Sequence, residues 1–104
     1  MAFKALFMAH APDADYLKHR SLIDTGKYRL FTVIVKSQDE AVKVCKEFYE
    51  KEKIEAVLLC PGFTHQDVAE ISQALEGKVS VTVARGDGPG NRIVQSVLQR
   101  EFFT

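Results

Sequence analysis

Cysteine and histidine supply this chain's nucleophilic and proton-transferring groups, and the stretch Cys60-Pro61-Gly62-Phe63-Thr64-His65 holds one of each. As a nucleophile, Cys60 needs a general base, His65 or His10, within hydrogen-bond reach. The competing reading makes Cys60 the buried end of an apolar strand, the usual setting of a free cysteine. It precedes the helix that follows by about four residues, too far for the helix end to activate it strongly. His65 falls at the first helical position, where a positive helix end favours a neutral imidazole able to donate to a carbonyl or accept a proton. A solvated first-turn histidine is the plain alternative. His10, at the carboxyl end of the first strand, is the third catalytic candidate, and His19 falls in a segment expected to face water. His10, Cys60, His65 and Asp67 do not have the spacing of a metal site: neither CxxC nor HExxH occurs.

A second stretch, Arg85-Gly86-Asp87-Gly88-Pro89-Gly90-Asn91-Arg92, follows a strand and opens a helix, the context in which glycine-rich loops turn backbone N–H groups toward phosphate. The expected contacts are Thr64, Arg85, Gly86, Asp87, Gly88, Gly90 and Arg92, with the two arginines taking the anion. There is no Walker lysine, the glycines are not spaced as G-x-G-x-x-G, and Asp87 repels an anion unless turned away. A tight strand-to-helix turn with Pro89 near the helix start accounts for the same residues. No cofactor fingerprint is complete, so the cofactor is left unknown.

Four apolar runs must place these groups. Phe3 to Ala9, apolar apart from Lys4, suits a central strand covered on both faces. From Ala11 to Lys27 the pattern is irregular; Pro12, Asp13 and Asp15 offer cap chemistry and Gly26 a stop, which predicts a short helix over about Asp15 to Thr25. Tyr28 to Val35 is a β-branched and aromatic strand. Ser37 then starts a capping box with Glu40, and the helix after it buries Ala41, Val44, Cys45 and Phe48. Ala56 to Cys60 is the third strand, and Thr64 with Asp67 caps the helix carrying Val68, Ile71 and Leu75 up to Gly77. Val79 to Ala84 alternates as an edge strand does. Ile93, Val94, Val97 and Leu98 define a last helix, followed by Phe102 and Phe103.

Strand and helix alternate, which predicts an α/β fold over residues 1–104 as a single domain: one open four-stranded parallel sheet, order 2-1-3-4, with helices on both faces. The carboxyl ends of strands one and three then flank the switch point where such sheets bind ligands. The alternative is a ferredoxin-like α+β sandwich, which requires a hairpin in place of one helix.

At 104 residues the chain can bury roughly 60 to 70% of its unfolded surface in one core. Fourteen basic residues balance fourteen acidic ones, which argues against nucleic acid as a partner. No apolar stretch reaches the about 18 residues of a membrane span, and the N-terminal apolar run is too short and lacks the cleavage pattern of a signal peptide. Two cysteines are too few for a secreted disulfide scaffold, pointing to a reducing cytoplasm. Phe102 and Phe103 beyond the last helix, and a small sheet with two edges, predict a homo-oligomer, most simply a dimer.

Three blocks, FKALFMAHAPD (Phe3 to Asp13), LCPGFTHQD (Leu59 to Asp67) and VARGDGPG (Val83 to Gly90), resemble those of a family of short uncharacterised bacterial and archaeal α/β proteins, a domain of unknown function. The resemblance covers nearly the full chain and brings no residue roles with it. From the residues themselves, the leading expectation is a protein that binds a small anionic metabolite at the carboxyl edge of the sheet. The alternatives are a small enzyme using a histidine acid/base with Cys60, and a homo-oligomeric structural or interaction subunit without a ligand.

Overall fold

A computed structural model of the protein describes residues 1–86 and 88–103. The elements in chain order are β1 (Phe3–His10), β2 (Arg20–Asp24), β3 (Tyr28–Val35), α1 (Gln38–Glu52), β4 (Ala56–Leu59), α2 (His65–Ala74), β5 (Ser80–Val83) and α3 (Gly88–Glu101). The fold is α/β, but the sheet has five strands in the order β2-β3-β1-β4-β5. β3, β1, β4 and β5 run parallel, and β2 is antiparallel to β3.

This corrects the expected four-stranded, all-parallel sheet, and the reason lies in residues 15–27. Asp15 does offer cap chemistry, but it closes only one turn: its carbonyl accepts from the His19 N–H at 2.7 Å and its carboxylate from the Leu17 N–H at 3.0 Å. Ser21-Leu22-Ile23 then pairs with Leu30-Phe31-Thr32 of β3. Gly26, read as a helix stop, has φ +99° and serves a hairpin instead, where its N–H donates to Asp24 Oδ1 at 2.8 Å. Pairing with a long neighbouring strand outweighs the weak local helix signal.

The side-chain alternation of each strand sorts the core. Leu6 and Met8 of β1, Val33 and Val35 of β3, and Val57 and Leu59 of β4 are fully buried beneath α1 and α2. From α1 come Ala41, Val44, Cys45 and Phe48, and from α2 Ile71 with the following Leu75. Burial drives the Cys45 thiol up to about 12. Ser37 caps α1 by accepting from the Glu40 N–H, but Glu40 Oε1 accepts from the Lys36 N–H rather than from Ser37.

Helices on both faces were expected, whereas α1 and α2 share one face and α3 does not cover the other. None of the α3 residues is buried, and the helix borders the carboxyl ends of the strands. No helix among the described residues is long and apolar enough to cross a membrane.

Candidate functional site

The parallel strands β1 and β4 end side by side, where the Cys60 N–H donates to the Met8 carbonyl at 3.0 Å. His10 closes β1 and Cys60 follows β4, so two chemically capable groups from distant parts of the chain share one edge. The chain then turns sharply, with the Phe63 N–H donating to the Cys60 carbonyl at 3.3 Å, and Phe63 drops wholly into the core. The His10 ring stacks on Phe63, centroids 3.9 Å apart and planes 22° apart. Gly62 crosses the two groups: a methyl placed on its Cα would stand 3.5 Å from both Cys60 Sγ and His10 Nδ1. No hydrogen bond joins the thiol to the imidazole among the described residues.

Burial lowers the His10 pKa, and the negative charge of Asp67 opposes that shift without cancelling it. The imidazole is therefore neutral at neutral pH, with Nε2 buried and without a hydrogen-bond partner.

His10 and Cys60 border a cleft of about 440 Å³. Its floor is Ala11, Pro12, Pro61 and Gly62; its far wall is Val94 and Leu98 of α3 with Phe102 and Phe103 beyond; Lys36, just past the end of β3, adds the cation. An adjoining hollow of about 320 Å³ continues between Pro61, Gly62, Gly86, Gly90 and Asn91. A groove of about 460 Å³ on the solvent side of α1 lies between Lys43, Lys46, Glu47 and Glu50; it is the space between long side chains and gathers no converging set of groups.

The remaining candidates are dispersed. His65 is the first residue of α2, exposed and outside the cleft. Thr64 is engaged in a complete capping box: its hydroxyl accepts from the Asp67 N–H at 3.0 Å, and its N–H donates to Asp67 Oδ2 at 2.9 Å. Arg85 Nη1 donates to the Phe63 carbonyl at 3.0 Å, which makes it a brace for the turn. The space beside Gly86 is taken by Asn91, whose Nδ2 donates to the Gly86 carbonyl at 3.2 Å. Gly88 and Arg92 are exposed on α3, Gly90 borders the adjoining hollow, and Asp87 lies outside the described residues. Among the described residues no group of three or more His, Cys, Asp or Glu could hold a metal ion.

Sequence reasoning passed over Phe63, Lys36 and the cleft-facing pair Val94 and Leu98. Lys36 alone had an available signal, since it directly follows a strand that runs parallel to the first.

Nothing among curated proteins or solved structures matches this chain significantly. Residues 3–99 match a family of unknown function, DUF6506, from the start of β1 to the last turns of α3. With nearly its whole length covered by that match, the chain belongs to the DUF6506 family.

Proposed function

We propose that this protein binds a small, largely apolar molecule with an anionic end in the cleft between the carboxyl edge of the sheet and α3. One observation carries the reading: His10, a neutral imidazole, and Lys36 line a cleft that is otherwise apolar apart from Cys60. Ligand sites typically combine apolar walls with a few polar groups in a volume of about 300 to 1,000 Å³. In this reading Lys36 faces the anionic end, His10 supplies a hydrogen bond, and Val94, Leu98, Phe102 and Phe103 cover the apolar body. The anion contact thus moves from Arg85, which braces Phe63, to Lys36.

Straight-chain and aryl carboxylates at millimolar concentration provide the test, by thermal shift. Ligand at a hundredfold excess over Kd adds about 2.7 kcal/mol, a shift of many degrees for a domain this small. The expected result is stabilisation of the wild type that Lys36→Ala and His10→Ala both reduce. No stabilisation by any member of the series, or stabilisation of both variants equal to that of the wild type, defeats the reading.

The position of Gly62 against both Cys60 and His10 favours a second reading, in which Cys60 is a nucleophile and His10 its base. Iodoacetamide alkylation of Cys60 that His10→Ala slows at least tenfold supports it; an unchanged rate removes it.

A further inference from the structure

Strand register divides the side chains of the sheet between two faces. One carries the core beneath α1 and α2. The other carries Phe7 of β1, Ile23 of β2, Leu30 and Ile34 of β3, and Leu58 of β4, interspersed with alanines and hydroxyl residues. The paired positions on this face include no charged residue. Nevertheless Ile23 is 60% exposed and Leu58 38%. Parallel sheets are normally covered on both faces, and an apolar patch of this extent marks an interaction surface.

The same chain holds an unmatched helix. Val94 and Leu98 of α3 border the cleft, with Val94 still 50% exposed, and Ile93 and Val97, one helical turn apart, are 71% and 39% exposed. A helix layer is what the open sheet face lacks, and α3 does not reach the face of its own sheet.

We propose that a second copy of this chain supplies that layer: in a twofold dimer, α3 of each copy lies with Ile93 and Val97 across the open sheet face of the other. Dimensions agree. At about 1.5 Å per residue the 14 residues of α3 extend roughly 21 Å, close to the length of the eight-residue strands β1 and β3. Five strands about 4.8 Å apart present a face on the order of 450 Å², of which one helix about 10 Å wide covers on the order of 200 Å². Counting both partners of both contacts, the pair buries on the order of 800 Å², the size of a weak, reversible interface. The sheet face that the dimer covers is not the cleft, although α3, whose Val94 and Leu98 wall the cleft, takes part in both.

Light scattering after size exclusion, on the full chain at hundreds of micromolar, should give twice the 11.7 kDa protomer mass. Ile93→Glu and Leu58→Lys should each yield folded monomers, with Thr82→Lys on the same face serving if Leu58→Lys does not fold. Mixing the helix variant with the sheet variant should restore a dimer by native mass spectrometry. In the mixed pair one contact sets Glu against Lys and the other keeps both native surfaces. A monomeric wild type, dimers that survive Ile93→Glu, or variants that stay monomeric when mixed each overturn the proposal, the last by favouring sheet against sheet.

Discussion

The imidazole of His10 lies flat on the ring of Phe63 at 3.9 Å, and this stack joins the end of β1 to the turn after β4. One side of His10 is therefore held by a fully buried aromatic, and its Nε2 has lost water without gaining a partner. The arrangement costs stability.

That geometry fixes the sign of a pH effect. Burial lowers the folded-state pKa of His10 from the ordinary 6.5, so between the two values the unfolded chain carries a proton that the folded chain does not. Stability from this group is present above pH 6.5 and is lost as pH falls through that window toward the folded value. Denaturation of wild type and His10→Phe from pH 5 to 8 should show the wild type losing stability relative to the variant on acidification. At neutral pH the two should lie within about 1 kcal/mol, since replacing an unpaired polar atom with an apolar ring is nearly neutral. Parallel pH profiles would contradict the assignment.

The two thiols should behave differently. Cys45 is fully buried with its pKa pushed up to about 12, whereas Cys60 is half-buried and lines the cleft. A thiol reagent added to native protein should modify Cys60 and leave Cys45 intact until the chain unfolds. Gly62→Ala places a methyl in ordinary contact with Cys60 Sγ and should slow that modification. The φ of Gly62 is not in the left-handed region, so the variant should fold normally and gain up to about 1 kcal/mol from a stiffer unfolded chain. Peptide mapping after labelling checks both statements.

Much of this was legible where the chain's local signals agree with its tertiary contacts. Ser37 before the spacing of Ala41, Val44, Cys45 and Phe48 announces α1, and Thr64 with Asp67 announces α2. The segment from Asp15 to Gly26 was not legible, because cap chemistry and a glycine stop serve equally for a single turn and a hairpin, and only pairing with β3 decides between them. At the cleft, the strand ends at His10 and Cys60 follow from where apolar runs stop. That Val94 and Leu98 form its outer wall depends on where α3 lies, which periodicity does not encode. Arg85 looked like an anion contact for want of any sign that the Phe63 carbonyl stands within its reach.

The cap of α2 provides a stability prediction separate from the cleft. Thr64→Ala removes the acceptor for the Asp67 N–H and should cost about 1 kcal/mol. Asp67→Ala breaks the reciprocal bond from the Thr64 N–H and also removes the charge that raises the His10 pKa. The His10 titration measured by NMR should therefore move lower in Asp67→Ala and stay nearly in place in Thr64→Ala. Equal shifts in both variants would mean that the effect passes through the helix end rather than through the carboxylate.

Arg85 tests whether the turn or a ligand claims its guanidinium. As the donor to the Phe63 carbonyl, it holds the backbone of the residue on which His10 stacks. Arg85→Ala should lower the stability of the ligand-free protein by about 1 kcal/mol, the usual net worth of a partly exposed hydrogen bond. It should also loosen the His10 and Phe63 stack, raising the His10 pKa back toward 6.5 as the ring regains water. Arg85→Lys keeps the charge but is shorter and lacks the planar fork, so it should recover only part of the loss. An arginine kept for anion binding predicts the reverse: ligand-free stability and His10 titration unchanged by Arg85→Ala, with carboxylate-induced stabilisation abolished. Chemical denaturation and histidine NMR on the ligand-free protein, followed by the carboxylate thermal shift, separate the two roles.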